Sequence, residues 1–296
     1  MDLVFCGTPQ FAVPTLERLV QAGMNVRLVV TQPDRPKGRG LELFAPPVKQ
    51  TAERIGIPVY QPEKIKTNEE LRLKLESIVP AAIIVVGYGR IIPSWMLQLP
   101  KYRGAAPIQW AIASGESVTG VTTMRIDEGL DTGDILLQKE MAIAAEDTSV
   151  TLAPRLAAIG AELMIETLRG LQSGSIRPQK QDDSQATLAP VLKKEDGKID
   201  FSCSALQIYN RFRGFQPWPG ASTRFRGKGL SITAMRPASE EVRPLQLLVK
   251  DGQLFAGCGD SRTIELLEVQ PEGKKRISAK DFLHGYRPVT GESVST

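Results

Sequence analysis

Leu3-Val4-Phe5-Cys6-Gly7-Thr8-Pro9, followed by an amphipathic stretch over residues 11–23, decides how the first half of the chain is read. The apolar run Leu3-Val4-Phe5 reads as a buried strand. Cys6-Gly7-Thr8-Pro9 turns the chain. Phe11, Leu16, Leu19 and Val20 then fall on one helical face, which Gly23 stops. A strand, a tight turn and a helix form the opening move of an α/β domain.

The pattern continues outward from there. Residues 26–30 read as the next strand, and 48–55 as a helix ended by Gly56. Residues 58–60 make a short strand and 68–78 a helix, and 82–86 form the most apolar strand of the chain. Strands alternating with helices imply a mostly parallel sheet covered on both faces. A helix near residues 93–97 leads to another near 106–114. Strands follow at 120–126 and 135–139, then a long helix from about 149 to 173. The character changes at residue 174. Arg177-Pro178-Gln179-Lys180-Gln181-Asp182-Asp183-Ser184 is polar and reads as a linker. After one more helix, at 204–212, strand-like runs appear at 222–225, 229–234, 247–250, 254–258 and 263–269. Such short strands, broken by glycine, suggest a small β-barrel. The expected organisation is a domain over 1–176, a linker over 177–195 and a second domain over 196–296.

Composition bounds the possibilities. The chain has 296 residues, 42% hydrophobic and 24% charged, which suits two ordinary globular domains. Its N-terminus shows no basic leader followed by an apolar run, and the most apolar short run, 81–86, is far too short to span a bilayer. Cys6, Cys203 and Cys258 are odd in number and widely spaced, so neither a disulfide framework nor a zinc site is expected, and a reduced cytoplasm fits. Of the net charge of +4, residues 193–296 contribute +5, from 17 basic and 12 acidic side chains, and the remainder contributes −1. A polyanionic partner docking on the last third explains that imbalance, and so does a solvated basic surface.

Several stretches carry chemistry. Gly7-Thr8-Pro9 stands where doubly wound proteins bind anions, but G-x-G-x-x-G and the P-loop are both absent. Gln32-Pro33-Asp34-Arg35-Pro36-Lys37-Gly38-Arg39-Gly40 is a basic loop whose Arg35, Lys37 and Arg39 suit phosphates. Val85-Val86-Gly87-Tyr88-Gly89-Arg90-Ile91-Ile92-Pro93 lies at the carboxyl end of a strand, where open α/β sheets bind ligands. Its two glycines expose backbone groups suited to a flat heterocycle. Asp127-Glu128-Gly129-Leu130-Asp131-Thr132-Gly133-Asp134 crowds four carboxylates, and crowding raises a carboxylate pKa toward the range useful for proton transfer. His284 is the only histidine and reads as structural or exposed; no Ser–His–Asp triad can be built around it in the first domain.

In this order, Phe5-Cys6-Gly7-Thr8-Pro9, residues 32–40, Tyr102-Arg103-Gly104-Ala105-Ala106-Pro107-Ile108-Gln109 and Gly129-Leu130-Asp131-Thr132-Gly133-Asp134 resemble the N-domain motifs of the methionyl-tRNA formyltransferase family. Gln216-Pro217-Trp218-Pro219-Gly220-Ala221 and Gln270-Pro271-Glu272-Gly273-Lys274-Lys275 are similar to its C-domain. The resemblance implies a Rossmann-like formyltransferase domain followed by an OB-like β-barrel. It implies transfer of a formyl group from 10-formyltetrahydrofolate to the amino group of methionyl-initiator tRNA, by a monomeric enzyme with no metal. Of the family's catalytic Asn, His and Asp, the Asp matches Asp131. The folate site implied is Tyr88, Gly89, Arg90, Ile91, Ile92, Gly129 and Leu130, with Leu99 and Pro100 as further candidates that align with either side of a gap ahead of Tyr102. The tRNA contacts implied are Arg35, Lys37 and Arg39, although Leu41-Glu42 stands where some relatives are more basic.

One departure matters. The family carries N-x-H-x-S-L-L-P just before Y-R-G-A-A-P, whereas here Leu99-Pro100-Lys101 runs straight into Tyr102. The catalytic Asn and His have no counterpart. Either the natural protein carries a segment that this sequence lacks, which the surviving motifs favour, or formyl transfer is lost and a tRNA-binding protein remains. A folate-dependent sugar-amine formyltransferase is the enzymatic alternative; the basic loop and the C-terminal charge favour tRNA.

Overall fold

The computed structural model describes residues 1–37, 42–65, 68–89, 103–104, 106–127, 131–182, 184 and 186–295. These divide into two compact units. The first comprises residues 1–105, 120–141 and 153–189, and the second 106–119, 142–152 and 190–296.

The first unit is built on β1 (Asp2–Gly7), α1 (Val13–Gln21) and β2 (Asn25–Val30). Two short strands follow, β3 (Arg35–Lys37) and β4 (Glu42–Phe44), then α2 (Pro47–Arg54), β5 (Val59–Tyr60), α3 (Glu69–Ile78) and β6 (Ala82–Val86). Four strands form one sheet in the order β5-β2-β1-β6, every pair parallel. The buried run at the start of the chain explains why. Leu3 and Phe5 face one side, against Leu16, Leu19, Val48 and Ile165; Val4 and Cys6 face the other, against Leu71, Leu75 and Tyr88. With both faces covered, the strand has no polar side to present, so it reads as continuously apolar. Burial pushes the Cys6 thiol up to about 12. Asn68 caps α3 by accepting a hydrogen bond from Leu71 N at 2.7 Å.

Beyond β6 come β7 (Arg103–Gly104), α4 (Pro107–Ala113), β8 (Val118–Met124), β9 (Ile135–Ala142), α5 (Ser149–Ser173) and β10 (Leu188–Ala189). β8 pairs with β9, and β10 runs parallel to β7. The stretch expected as a helix at 93–97 lies outside the described residues.

The second unit adds α6 (Ala205–Gly214), β11 (Ala221–Phe225), β12 (Lys228–Ala238), β13 (Leu247–Lys250), β14 (Gln253–Gly257), β15 (Thr263–Pro271), β16 (Ile277–Ser278), α7 (Ala279–Tyr286) and β17 (Val294–Ser295). Its strands form an antiparallel sheet in the order β13-β14-β15-β12-β11-β17, with β16 beside β15. The two ends of that order meet. Leu247 N donates to Glu292 O, and Val294 N to Leu245 O, each at 2.8 Å. Joining the ends removes two open strand edges. Phe201, Leu254, Ile264, Leu266 and Phe282 fill the interior.

Ser204 and Gln207 form a capping box at the start of α6. The helix ends against α4 of the same unit. A Cβ at Gly214 would stand 2.5 Å from Gln109 O, so only glycine permits this approach. Phe215 then meets Trp110 edge to face at 5.2 Å. Buried Arg213 holds the segment before α5 by donating to Asp147 O at 2.7 Å and Ala144 O at 3.3 Å.

Besides the two-residue strands β7, β10, β16 and β17, a hairpin and a helix stand where the sequence predicts none. Residues 35–44, read as a loop, contain the β3–β4 hairpin, with Arg35 opposite Phe44 and Pro36 opposite Leu43. The proline survives there because an isolated two-stranded ribbon leaves its outer edge free of ladder bonds. α7 was not anticipated; Ser278 caps it, accepting from Asp281 N at 3.1 Å. His284 is exposed in its last turn.

Candidate active site

The turn after β1 and the turn after β6 are neighbours because β1 and β6 pair in parallel. Hydrogen bonds tie the two turns together. Thr8 Oγ1 donates to Tyr88 O at 3.0 Å, and Gln32 Nε2 donates to the same oxygen at 2.9 Å. Gln32 N in turn donates to Thr8 Oγ1 at 3.4 Å. Three strand ends thus converge on one carbonyl. Gly89 is in the left-handed region at φ 74°, and a Cβ there would stand 2.6 Å from Gln32 Nε2. Tyr88 as a whole is buried, its side chain in the core beside α3, and Gly87 and Gly89 on either side of it are the exposed part of the turn. This arrangement fixes the turn at Gly87–Gly89 as a ledge at the carboxyl end of the sheet, with its two glycines exposed. Such a ledge can hydrogen-bond the edge of a flat heterocycle without reorganising.

From this ledge a second chain of polar contacts runs toward the β3–β4 hairpin. Gln61 Nε2 donates to Gln32 O at 2.8 Å and to Asp34 Oδ1 at 2.7 Å. Lys49 Nζ pairs with Asp34 Oδ2 at 2.7 Å. The Gln61 hydrogen bond, and then Lys49, hold the Asp34 carboxyl below its ordinary value. Asp34 is therefore anchored on both oxygens at the foot of the hairpin. Arg35 is exposed on β3. Lys37 lies on the same strand, opposite Glu42. Arg39 lies outside the described residues, as do Arg90, Ile91, Ile92, Leu99, Pro100, Gly129 and Leu130.

Asp131 stands on the connection from β8 to β9, half-buried and in the left-handed region at φ 59°. Arg125 N donates to Asp134 O at 3.0 Å, narrowing the neck of that connection. Thr132 Oγ1 donates to Asp127 Oδ1, so one of the four crowded carboxylates is engaged within the loop. From the segment after α5, Gln181 Nε2 donates to Asp131 O at 3.2 Å and to Gly133 O at 2.6 Å. Among the described residues no group of three or more His, Cys, Asp or Glu side chains is arranged to hold a metal ion, and no helix is long and apolar enough to cross a membrane.

Three participants escaped the sequence reading. Gln61, Lys49 and Gln181 hold Asp34 and the Asp131 turn; Lys49 stands on a helix read from the sequence and the two glutamines in polar stretches, and no motif singles out any of the three. The second unit also holds a cavity of about 240 Å³ lined by Asp196, Asp200, Cys203, Arg211, Phe212 and Phe215, which contains none of the site residues expected from the sequence.

Comparison with known proteins bears on this arrangement. A family described as "Formyl transferase" matches residues 1–168, and one described as "Formyl transferase, C-terminal domain" matches residues 191–287. A protein of Koribacter versatilis named "Methionyl-tRNA formyltransferase" is 59% identical over 307 positions, covering 99% of this chain and 98% of its own. One of Acidobacterium capsulatum with the same name is 61% identical, covering 96% of each. The first alignment is longer than the 296 residues of the chain, so at least eleven of its positions face no residue here. Among solved structures, an N-formyltransferase of Helicobacter canadensis, in complex with folinic acid and dTDP-3-aminofucose, aligns with a TM-score of 0.65 at 19% identity. It covers 91% of this chain and 98% of its own, a likeness of fold.

Proposed function

Since the chain belongs to the methionyl-tRNA formyltransferase family, we propose that it transfers the formyl group of 10-formyltetrahydrofolate to the amino group of methionyl-initiator tRNA, preparing it for translation initiation. The observation that carries this reading is identity of 59% and 61% to two proteins of that name over nearly the whole of both chains. The sugar-amine alternative has only a fold likeness at 19% identity behind it.

The reaction needs little covalent chemistry from the protein. The neutral methionyl amine attacks the formyl carbon, a tetrahedral oxyanion forms, and the C–N bond to the folate breaks as its nitrogen gains a proton. The protein must therefore hold two substrates in line, stabilise the oxyanion and move a proton. In this reading the ledge at Tyr88–Gly89, pinned by Thr8 and Gln32, receives the pterin edge. The hairpin anchored through Asp34, with Arg35, Lys37 and Arg39, meets the acceptor end of the tRNA. Asp131 supplies negative charge that orients and stabilises a protonated partner. The expected compartment is the cytoplasm and the expected form a monomer.

The histidine that Asp131 would serve belongs to the segment absent ahead of Tyr102. Our reading is that the natural protein carries it. At the chain's mean of 32.4 kDa over 296 residues, eleven residues add about 1.2 kDa. Protein from its native source is expected to show at least that excess in intact mass. A mass of 32.4 kDa would show that the segment is absent from the natural protein. The function itself is tested by mixing enzyme and 10-formyltetrahydrofolate with methionyl-initiator tRNA or with a nucleotide-linked amino sugar. Formylmethionyl-tRNA is the expected product; formyl sugar with untouched tRNA would overturn the reading.

A further inference from the structure

We propose that Gln181 is a positioning residue for the reaction: it fixes the backbone turn that aims the Asp131 carboxylate. The inference rests on the catalytic reading of Asp131 given above. Gln181 lies between residue 168, where one family match ends, and residue 191, where the next begins, so neither match includes it. In the sequence it belongs to a polar stretch that reads as a linker.

The geometry gives this stretch a second task. Gln179 forms a two-way backbone bridge with Ile135 at the start of β9, each bond at 2.8 Å. That bridge fixes the register. Two residues further on, with the side-chain period of an extended segment, Gln181 falls on the same side as Gln179. Its amide nitrogen spans the turn, donating to Asp131 O and to Gly133 O on either side of Thr132. One NH2 group supplies both hydrogens, a pattern that carboxylate oxygens or a single hydroxyl cannot supply.

This clamp acts where the backbone is least settled by local preference. Asp131 holds a left-handed φ of 59° without being glycine, a conformation that surrounding contacts must maintain. Its carboxylate direction follows from that backbone. Releasing two carbonyls of the turn loosens the backbone that sets the side chain's direction, while the four-stranded parallel sheet and its core are not touched. Glutamate at 181 keeps the shape but removes both donors and adds a negative charge beside Asp131. Asparagine keeps both donors on a shorter arm.

The test uses the form carrying the N-x-H-x-S-L-L-P segment ahead of Tyr102, with Gln181→Ala, Gln181→Glu, Gln181→Asn, Asp131→Asn and the double variant Asp131→Asn/Gln181→Ala. The expected result is a fall in kcat of roughly 10- to 100-fold for Gln181→Ala and Gln181→Glu, a loss typical of misplaced reacting groups. KM for both substrates should stay within about twofold. Gln181→Asn is expected to recover part of the loss, and the double variant to be no slower than Asp131→Asn. Full kcat in Gln181→Glu, with Asp131→Asn inactive, would overturn the positioning role alone. Full kcat in Asp131→Asn would instead remove the reading on which it rests. If a preparation gives too little turnover to measure, or a variant folds poorly, the carboxyl-carbon NMR titration of Asp131 in folded Gln181→Asn or Gln181→Ala decides. A midpoint or shift displaced from that of the parent chain supports the clamp, and an unchanged titration refutes it.

Discussion

Asp131 and Asp34 are carboxylates in the same unit with different surroundings, and each supports a separate prediction. Asparagine at 131 tolerates a left-handed φ about as well as aspartate does, so Asp131→Asn should retain fold and tRNA binding. Turnover should fall at least about 100-fold, the lower end for loss of a group that assists proton transfer. Steady-state formylation with a parallel tRNA-binding titration checks both halves, and unchanged turnover would remove Asp131 from the mechanism. Asp34 makes a pH prediction. Its carboxyl is held below the ordinary 3.8 by Gln61 first and Lys49 second. A depressed carboxylate contributes stability at pH above its unfolded value, and that contribution fades as pH falls through the lower folded value. The foot of the hairpin should therefore stay intact at neutral pH and loosen only below the ordinary 3.8. In Gln61→Ala the NMR titration of Asp34 should move back up; no movement would mean that Gln61 does not set it. Asp131 stands out in the sequence because a motif surrounds it. Gln61 and Gln181 do not, since a lone amide in a polar stretch shows its purpose only when the chain brings carbonyls to it.

At the scale of elements, the β3–β4 hairpin and α7 repay comparison. The hairpin hid behind its own composition: Pro36 and the glycines at 38 and 40 read as loop, while the pairing of Arg35 with Phe44 depends on partners nine residues apart. The basic residues of this stretch are visible in the sequence all the same. Arg39→Ala should weaken productive use of tRNA, seen as a raised KM for methionyl-initiator tRNA, and leave folate binding unchanged. Weakened folate binding would refute that division between hairpin and ledge. α7 was missed although Ser278, three residues ahead of Asp281, is a serviceable N-cap signal; eight residues give too little periodicity to stand out. It still matters to the fold. Phe282 is fully buried, edge to face with Phe225 and stacked on Tyr286. Phe282→Ala should cost about 3–5 kcal/mol in the stability of the second unit. Chemical denaturation followed by probes in each unit measures this, and a loss under about 1 kcal/mol would place Phe282 outside the core.

At the scale of the whole molecule, the strands and helices of the first half followed from alternation of buried runs and amphipathic stretches. Leu3 to Cys6 pack on both faces as a parallel strand must. The segmentation into compact units was less legible. Residues 106–119 and 142–152 fold with the C-terminal unit, through Gly214 against Gln109 and Arg213 against Asp147, contacts about a hundred residues and 66 residues apart in sequence. No local pattern announces such pairings. Charge is legible in total, with +5 on residues 193–296. The chain carries the family's other motifs in order without an N-x-H-x-S-L-L-P stretch ahead of Tyr102. The most direct measurement is formylation of methionyl-initiator tRNA by 10-formyltetrahydrofolate, run with the 296-residue chain and with a form carrying an N-x-H-x-S-L-L-P segment ahead of Tyr102. Our account predicts that both bind the tRNA and that the extended form turns over at least about 100-fold faster, the scale set by one lost oxyanion donor. An extended form that binds tRNA without formylating it, or that formylates an amino sugar in its place, would contradict the account.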